Sequence, residues 1–217
     1  MATTDPAPDG PAERPTGLLV DWGGVMTTSL FESFGAFCEA EGIDRGALAQ
    51  AFRGNPEAQA LLFAFEEGRI DETAFEPQLA GLLGLTSGHD GLIRRLMAGA
   101  GLDEPMVGAV RAARAAGIRT GLISNSWGTA GYPRPLLAEL FDGTVISGEI
   151  GIRKPAPRIY ELGAQAVGLP PRDCVFVDDL PFNLPPATEL GMLTIHHRAA
   201  SDTIAQLERL FAVPLGA

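Results

Sequence analysis

The chain has one lysine, Lys154, against fifteen arginines, and only two cysteines and three histidines. It also lacks any apolar run of roughly 18 residues, so no transmembrane helix is expected. Two cysteines, Cys38 and Cys174, make no disulfide framework. Cys38 falls at helical spacing with Phe31 and Phe34, and Cys174 opens an apolar run. Both read as buried, inert thiols suited to a reducing cytoplasm. Basic residues number 16 against 27 acidic ones, a net charge of −11. That balance disfavours a nucleic-acid partner and leaves no basic patch for a membrane surface. The opening "MATTDPAPDGPAERPTG" has no apolar core. It reads as a disordered lead-in over residues 1–16, not a secretory signal.

What is present is a series of short apolar runs: 18–22 "LLVDW", 118–124 "IRTGLIS", 144–147 "TVIS", 174–178 "CVFVD" and 192–196 "MLTIH". Most are apolar on both faces, as in a parallel sheet covered on both sides. Segments such as "DEPMVGAVRAARAAG" and "APRIYELGAQAVG" alternate with them and stop at glycine, as helices do. The expected fold is α/β, a Rossmann-like doubly wound parallel sheet of about five strands. One connection is too long for a crossover: about 95 residues separate the first two runs. They read as helices over roughly 29–41, 45–53, 57–67, 72–84 and 89–99. The expected layout is therefore a core over 17–28 and 103–217, with an inserted helical cap over 29–102. Phe31, Phe34, Phe37 and Cys38 form one apolar stripe in the cap, and Leu61, Leu62 and Phe65 another. "FEEGRIDE" reads as a solvated turn, and Arg94-Arg95 as a solvated helix face.

Ligands of open parallel sheets bind beyond the carboxyl ends of the strands, so polar residues there carry information. The first run ends in Asp21, the second in Ser124-Asn125-Ser126, the fourth in Asp178-Asp179, and Lys154 follows the third. Three clustered carboxylates are costly unless a hard divalent cation relieves them, and oxygen-only ligands suit Mg²⁺. A single lysine where arginine is the default points to a site wanting a compact point charge. His196 and His197 point to opposite faces of a strand and cannot readily share a metal.

"VDWGGV", "LISNS", "GIRKPAPRIY" and "VFVDDLPFNLPPATELGM", in that order, resemble the haloacid dehalogenase superfamily, which is mostly phosphatases. The run looks closest to the subgroup holding the N-terminal phosphatase domain of soluble epoxide hydrolase. The resemblance implies that Asp21 is the nucleophile that becomes an aspartyl-phosphate. It implies that Ser124 binds the transferring group, joined by Asn125, and that Lys154 neutralises charge. Mg²⁺ would be held by Asp21, the Gly23 main-chain carbonyl, Asp178 and Asp179. Trp127 would line the pocket or pack, and Asn183 would order the loop after the acids. The partner implied is a small phosphorylated or otherwise anionic metabolite. A homodimer stays open.

Position 23 departs from the family pattern, in which a second aspartate two residues after the nucleophile serves as acid and base. Such groups contribute roughly 10²–10⁴-fold. Its absence leaves three readings. The substrate has a good leaving group, as an acyl or enol phosphate does. Another side chain stands in, Glu32 and Thr27 being nearest. Or the site is a weak relative used for ligand binding or protein association. Metal-independent dehalogenation is a further alternative, although that branch does not carry the paired "DD".

Overall fold

The computed structural model describes residues 14–86 and 88–216. Most of the segment expected to be disordered therefore lies outside the described residues. Thr16, at its end, donates its N–H to Asp173 O at 2.9 Å and accepts from Arg119 N at 2.9 Å.

Among the described residues, five parallel strands form one sheet: β1 (Gly17–Val20), β2 (Arg119–Ser124), β3 (Gly143–Ile146), β4 (Cys174–Asp178) and β5 (Leu193–His196). Their order is β3-β2-β1-β4-β5. This is the expected Rossmann-like α/β sheet. The runs read as strands because both of their faces are covered. Leu18 and Val20 enter a core with Met106, Val110, Val175 and Leu207. Leu19, between them, enters the opposite core with Ile123, Tyr160 and Phe176. Each such side chain contributes about 1.5–3 kcal/mol when fully buried. The first core lies under α6 (Glu104–Ala115), α7 (Arg134–Leu140) and α11 (Ala200–Phe211). The second lies under α9 (Pro157–Ala166) and α10 (Leu184–Glu189). The short α8 (Ser147–Ile150) follows β3.

The long connection holds α1 (Leu30–Ala40), α2 (Ala47–Gly54), α3 (Pro56–Glu66), α4 (Glu72–Leu83) and α5 (Leu92–Met97). Local signals start these helices. Asn55 accepts from Glu57 N at 2.8 Å ahead of Pro56, and Asp71 accepts from Ala74 N at 2.9 Å. The cap has its own core of Phe37, Cys38, Leu48, Phe65, Phe75 and Leu92. Phe31 departs from its expected stripe: it is 52 % exposed, whereas Phe37 and Cys38 are buried.

Two details of the expected cap surface need correction. Glu66, expected in a solvated turn, is buried against Arg153. It lies one helical turn beyond Leu62, at the end of α3, where Arg153, Asn125 and Ser147 of the core meet it. Arg95 is not a solvated side chain either; it pairs with Glu41 and lies over the Phe37 ring, 5.7 Å from its centroid.

Candidate active site

The strand order reverses at β1, between β2 on one side and β4 on the other. That switch point places the ends of β1, β2 and β4 around one crevice. Asp21 extends β1 by donating its N–H to Val177 O at 2.9 Å. Asp178 ends β4, and Ser124 ends β2. Carboxylate oxygens of Asp21, Asp178 and Asp179 come within 4.8 Å of one another.

Lys154 enters this group from the loop after α8. Its side chain has no exposed surface, and Nζ lies 2.8 Å from Asp21 Oδ1 and 2.6 Å from Asp178 Oδ2. Burial alone lowers the pKa of an ammonium. Here Asp178 and Asp21 outweigh it and hold Lys154 above its ordinary value. The acids are less well served. Burial pushes Asp21 up to about 8 despite Lys154, with Asp178 and Asp179 adding to the rise. Asp179 is raised to about 6, by burial first and Asp178 second. The lysine and its partner thus shift in ways that look opposed, and the charge count explains both. Three carboxylates share one ammonium, so the lysine is satisfied while Asp21 and Asp179 are not.

The acids differ in what they have free. Asp178 Oδ1 accepts from Leu180 N at 2.8 Å and Asn183 Nδ2 at 3.0 Å. Its Oδ2 accepts from Lys154 and, at 3.1 Å, from Asn183. Those bonds fill about the four lone-pair directions a carboxylate offers. Asn183 therefore orders the loop after the acids, its own carbonyl held by Tyr160 Oη at 2.6 Å. The Asp179 carboxylate has no such clamp among the described residues. His196 Nε2 lies 3.0 Å from the Asp179 carbonyl, while His197 turns to Thr203 at 2.9 Å. The two rings go to separate partners.

The glycine pair has a structural reason. Gly24 has φ of +73°, and a Cβ there would lie 2.5 Å from Asp179 Oδ2. The bare backbone lets the β1 loop close on that carboxylate. Gly23 is different. A Cβ at position 23 would meet Leu30 Cδ1 at 2.6 Å, so the first residue of α1 fills that space with hydrocarbon. Both expected stand-ins have other partners. Glu32 is exposed and pairs with Arg45 at 2.5 Å. Thr27 Oγ1 is engaged by Gly24 N at 3.0 Å and Thr28 O at 3.1 Å.

Asn125 grips the main chain of Lys154 twice. Its Oδ1 accepts from Lys154 N at 2.8 Å and its Nδ2 donates to Lys154 O at 3.1 Å. Trp127 inserts into the cap aromatics, with ring centroids 5.1 Å from Phe34, 5.9 Å from Phe52 and 6.0 Å from Phe75. Ser124 Oγ lies 2.8 Å from the Tyr132 hydroxyl.

Glu66 joins the cap to this floor. Its Oε2 accepts from Arg153 Nε at 2.5 Å and from Asn125 Nδ2 at 3.4 Å. Its carbonyl accepts from Ser147 Oγ at 2.5 Å. The Arg153 guanidinium lies 3.9 Å from the Phe63 ring centroid. Sequence reasoning passed over Glu66, Gly24 and Tyr132. The visible signals were the second glycine of "GG" and an acid one turn beyond Leu62.

A parallel sheet with three acids and a buried lysine at its switch point, under an inserted helical cap, defines a hydrolase class. The match is direct: the model of the haloacid dehalogenase-like hydrolases covers residues 15–191, and the chain belongs to that family. It is 30 % identical over 126 residues to rat (Rattus norvegicus) bifunctional epoxide hydrolase 2, covering 55 % of this chain and 23 % of the relative. It is 36 % identical over 112 residues to mouse (Mus musculus) acyl-CoA dehydrogenase family member 10, covering 51 % and 10 %. The chain thus spans less than a quarter of the length of these curated relatives. Among solved structures, the HAD-family enzyme BT-2542 of Bacteroides thetaiotaomicron, in complex with magnesium and inorganic phosphate, shares the fold. Its TM-score is 0.61 at 21 % identity, over 85 % of this chain and 95 % of that one.

Proposed function

We propose that this chain is a Mg²⁺-dependent phosphohydrolase that works through an aspartyl-phosphate at Asp21. The observation that carries the reading is the group of buried Lys154, Asp21 and Asp178 with half-buried Asp179, three acids to one cation at the switch point. A magnesium ion fits this donor set, which is all oxygen and short of positive charge. Asp21, Asp179 and the Gly23 carbonyl would hold it, with Asp178 adding a contact through water because its lone pairs are taken. When bound, the ion supplies charge stabilisation to the phosphoryl oxygens and lowers the pKa of the surrounding acids.

The residues divide the work. Asp21 attacks phosphorus with one carboxylate oxygen, and the bond from phosphorus to the leaving oxygen breaks. Water then attacks phosphorus, releasing inorganic phosphate and restoring the Asp21 carboxylate. Lys154 stays protonated throughout and offsets charge on Asp21 and the transferring group. Ser124 donates its hydroxyl to a phosphoryl oxygen. Asn125, engaged with the Lys154 main chain, fixes that lysine, and Trp127 seats the cap. No side chain at position 23 protonates the leaving group, and Leu30 occupies its space. The substrates served best are therefore acyl phosphates or phosphomonoesters with acidic leaving groups.

Phosphate release from aryl, acyl and alkyl phosphates, with Mg²⁺ and with chelator, tests this reading. Turnover should need Mg²⁺, vanish in Asp21→Asn, and fall steeply as the leaving group becomes more basic. Release that survives the chelator contradicts the metal assignment. No release from any of them would leave the site to ligand binding.

A further inference from the structure

Tyr132 is one of two tyrosines in the chain. It is 8 % exposed and stands in the loop between β2 and α7. Its ring packs against Trp22, the neighbour of Asp21, at 5.9 Å between centroids with planes inclined by 54°. The Arg134 guanidinium lies over the same ring, 5.8 Å from its centroid. The phenol is thus held between the end of β1 and the start of α7. Its hydroxyl lies 2.8 Å from Ser124 Oγ, and among the described residues it is the one hydrogen-bond partner of that serine hydroxyl.

Proton counting gives this contact a direction. Each hydroxyl has one proton and two acceptor lone pairs. If Ser124 donates to Tyr132, the serine proton is used and cannot serve an anion. If Tyr132 donates to Ser124, the serine proton is free to point into the crevice. An anion bound beyond the strand ends favours the second arrangement, because bonds to a charged acceptor are the stronger ones. Tyr132 is suited to permanent donation. Burial, with Asp21 and other acids nearby, keeps its hydroxyl protonated well above the ordinary tyrosine range.

We propose that Tyr132 is a positioning residue for the transferred group: it donates to Ser124 Oγ and so aims the Ser124 proton at a phosphoryl oxygen. This rests on the reading of Ser124 given above. Tyr132 touches neither phosphorus nor the leaving group and acts only through the serine. No proton changes owner during turnover, since both hydroxyls keep theirs.

A double-mutant cycle on the full chain tests this. Tyr132→Phe keeps the ring against Trp22 and removes only the hydroxyl. Ser124→Ala and the double variant complete the cycle. The readouts are inorganic phosphate affinity in the presence of Mg²⁺, kcat and KM for an aryl phosphate, and the melting temperature. Tyr132→Phe should weaken phosphate binding and kcat/KM by roughly 3- to 10-fold when Ser124 is present. In the Ser124→Ala background it should change neither by more than about 2-fold. Equal losses in both backgrounds, or none in either, overturn the proposal while wild-type turnover leaves the phosphohydrolase reading standing. A wild-type protein that neither binds phosphate nor releases it overturns both.

Discussion

Arg153 and Lys154 are neighbours on one loop, yet they serve two regions and obey different balances. Lys154 points down into the sheet between two carboxylates, and together they outweigh its burial. Arg153 points up to the cap and meets one buried carboxylate, Glu66. There burial wins: it raises the Glu66 pKa despite Arg153. The count of partners decides which way a buried charge is pushed. The floor of the site holds excess negative charge around a fixed cation and is built to receive another. The cap contact is closer to one charge against one, and it joins two bodies.

Removing Lys154 should break the comparison most severely. Lys154→Met leaves Asp21 and Asp178 buried without their cation and should cost about 3–5 kcal/mol of stability. Turnover should fall by roughly 10²–10³-fold at temperatures where the variant is folded. Calorimetry and single-turnover phosphate release check both parts. A folded, fully active Lys154→Met would show that the cation is merely structural filling.

Gly24→Ala sharpens the view of the floor from another side. It places a Cβ against the Asp179 carboxylate and strains a backbone held at φ of +73°. The strain alone should cost roughly 1–2 kcal/mol. Mg²⁺ affinity should fall with it, read by titration calorimetry. Unchanged affinity would remove Asp179 from the ligand set.

The cap contact should respond more gently. Glu66→Gln keeps a polar acceptor beside Arg153 and removes the titration. Because the folded pKa of Glu66 is raised, its contribution to stability is fully present below the unfolded value near 4.5 and is lost as pH rises through the folded value. The melting temperature of Glu66→Gln relative to wild type should therefore rise with pH above about 4.5. A gap that narrows with pH would mean that Arg153 outweighs burial after all.

The two regions also differ in how far the sequence announced them. The floor was legible because strands apolar on both faces end in polar residues. Asp21, Ser124 and Asp178-Asp179 stand where hydrophobicity stops. Lys154 stood out by being alone. The cap helices were legible from periodicity, and the fold followed from alternation with one long insertion. What joins the regions was not legible. Glu66 looked like part of a charge run, and only packing against Arg153 and Phe63 turns it inward. Gly24 meets Asp179, and the Tyr132 ring meets Trp22, only because segments far apart in sequence close on one another. Leu30 filling the space beside Gly23 is likewise a matter of where α1 starts in space. The helices α7 and α11 lay in stretches where no run drew attention to them.

The central claim is that Asp21 takes the phosphoryl group. Its most direct test is mass analysis of the peptide carrying Asp21 after acid quench of the protein with Mg²⁺ and an acyl phosphate. The account predicts a peptide heavier by one phosphoryl group, absent in Asp21→Asn and absent with chelator. Steady phosphate release with no adduct on that peptide at any quench time, from a protein that remains active as Asp21→Asn, would contradict it.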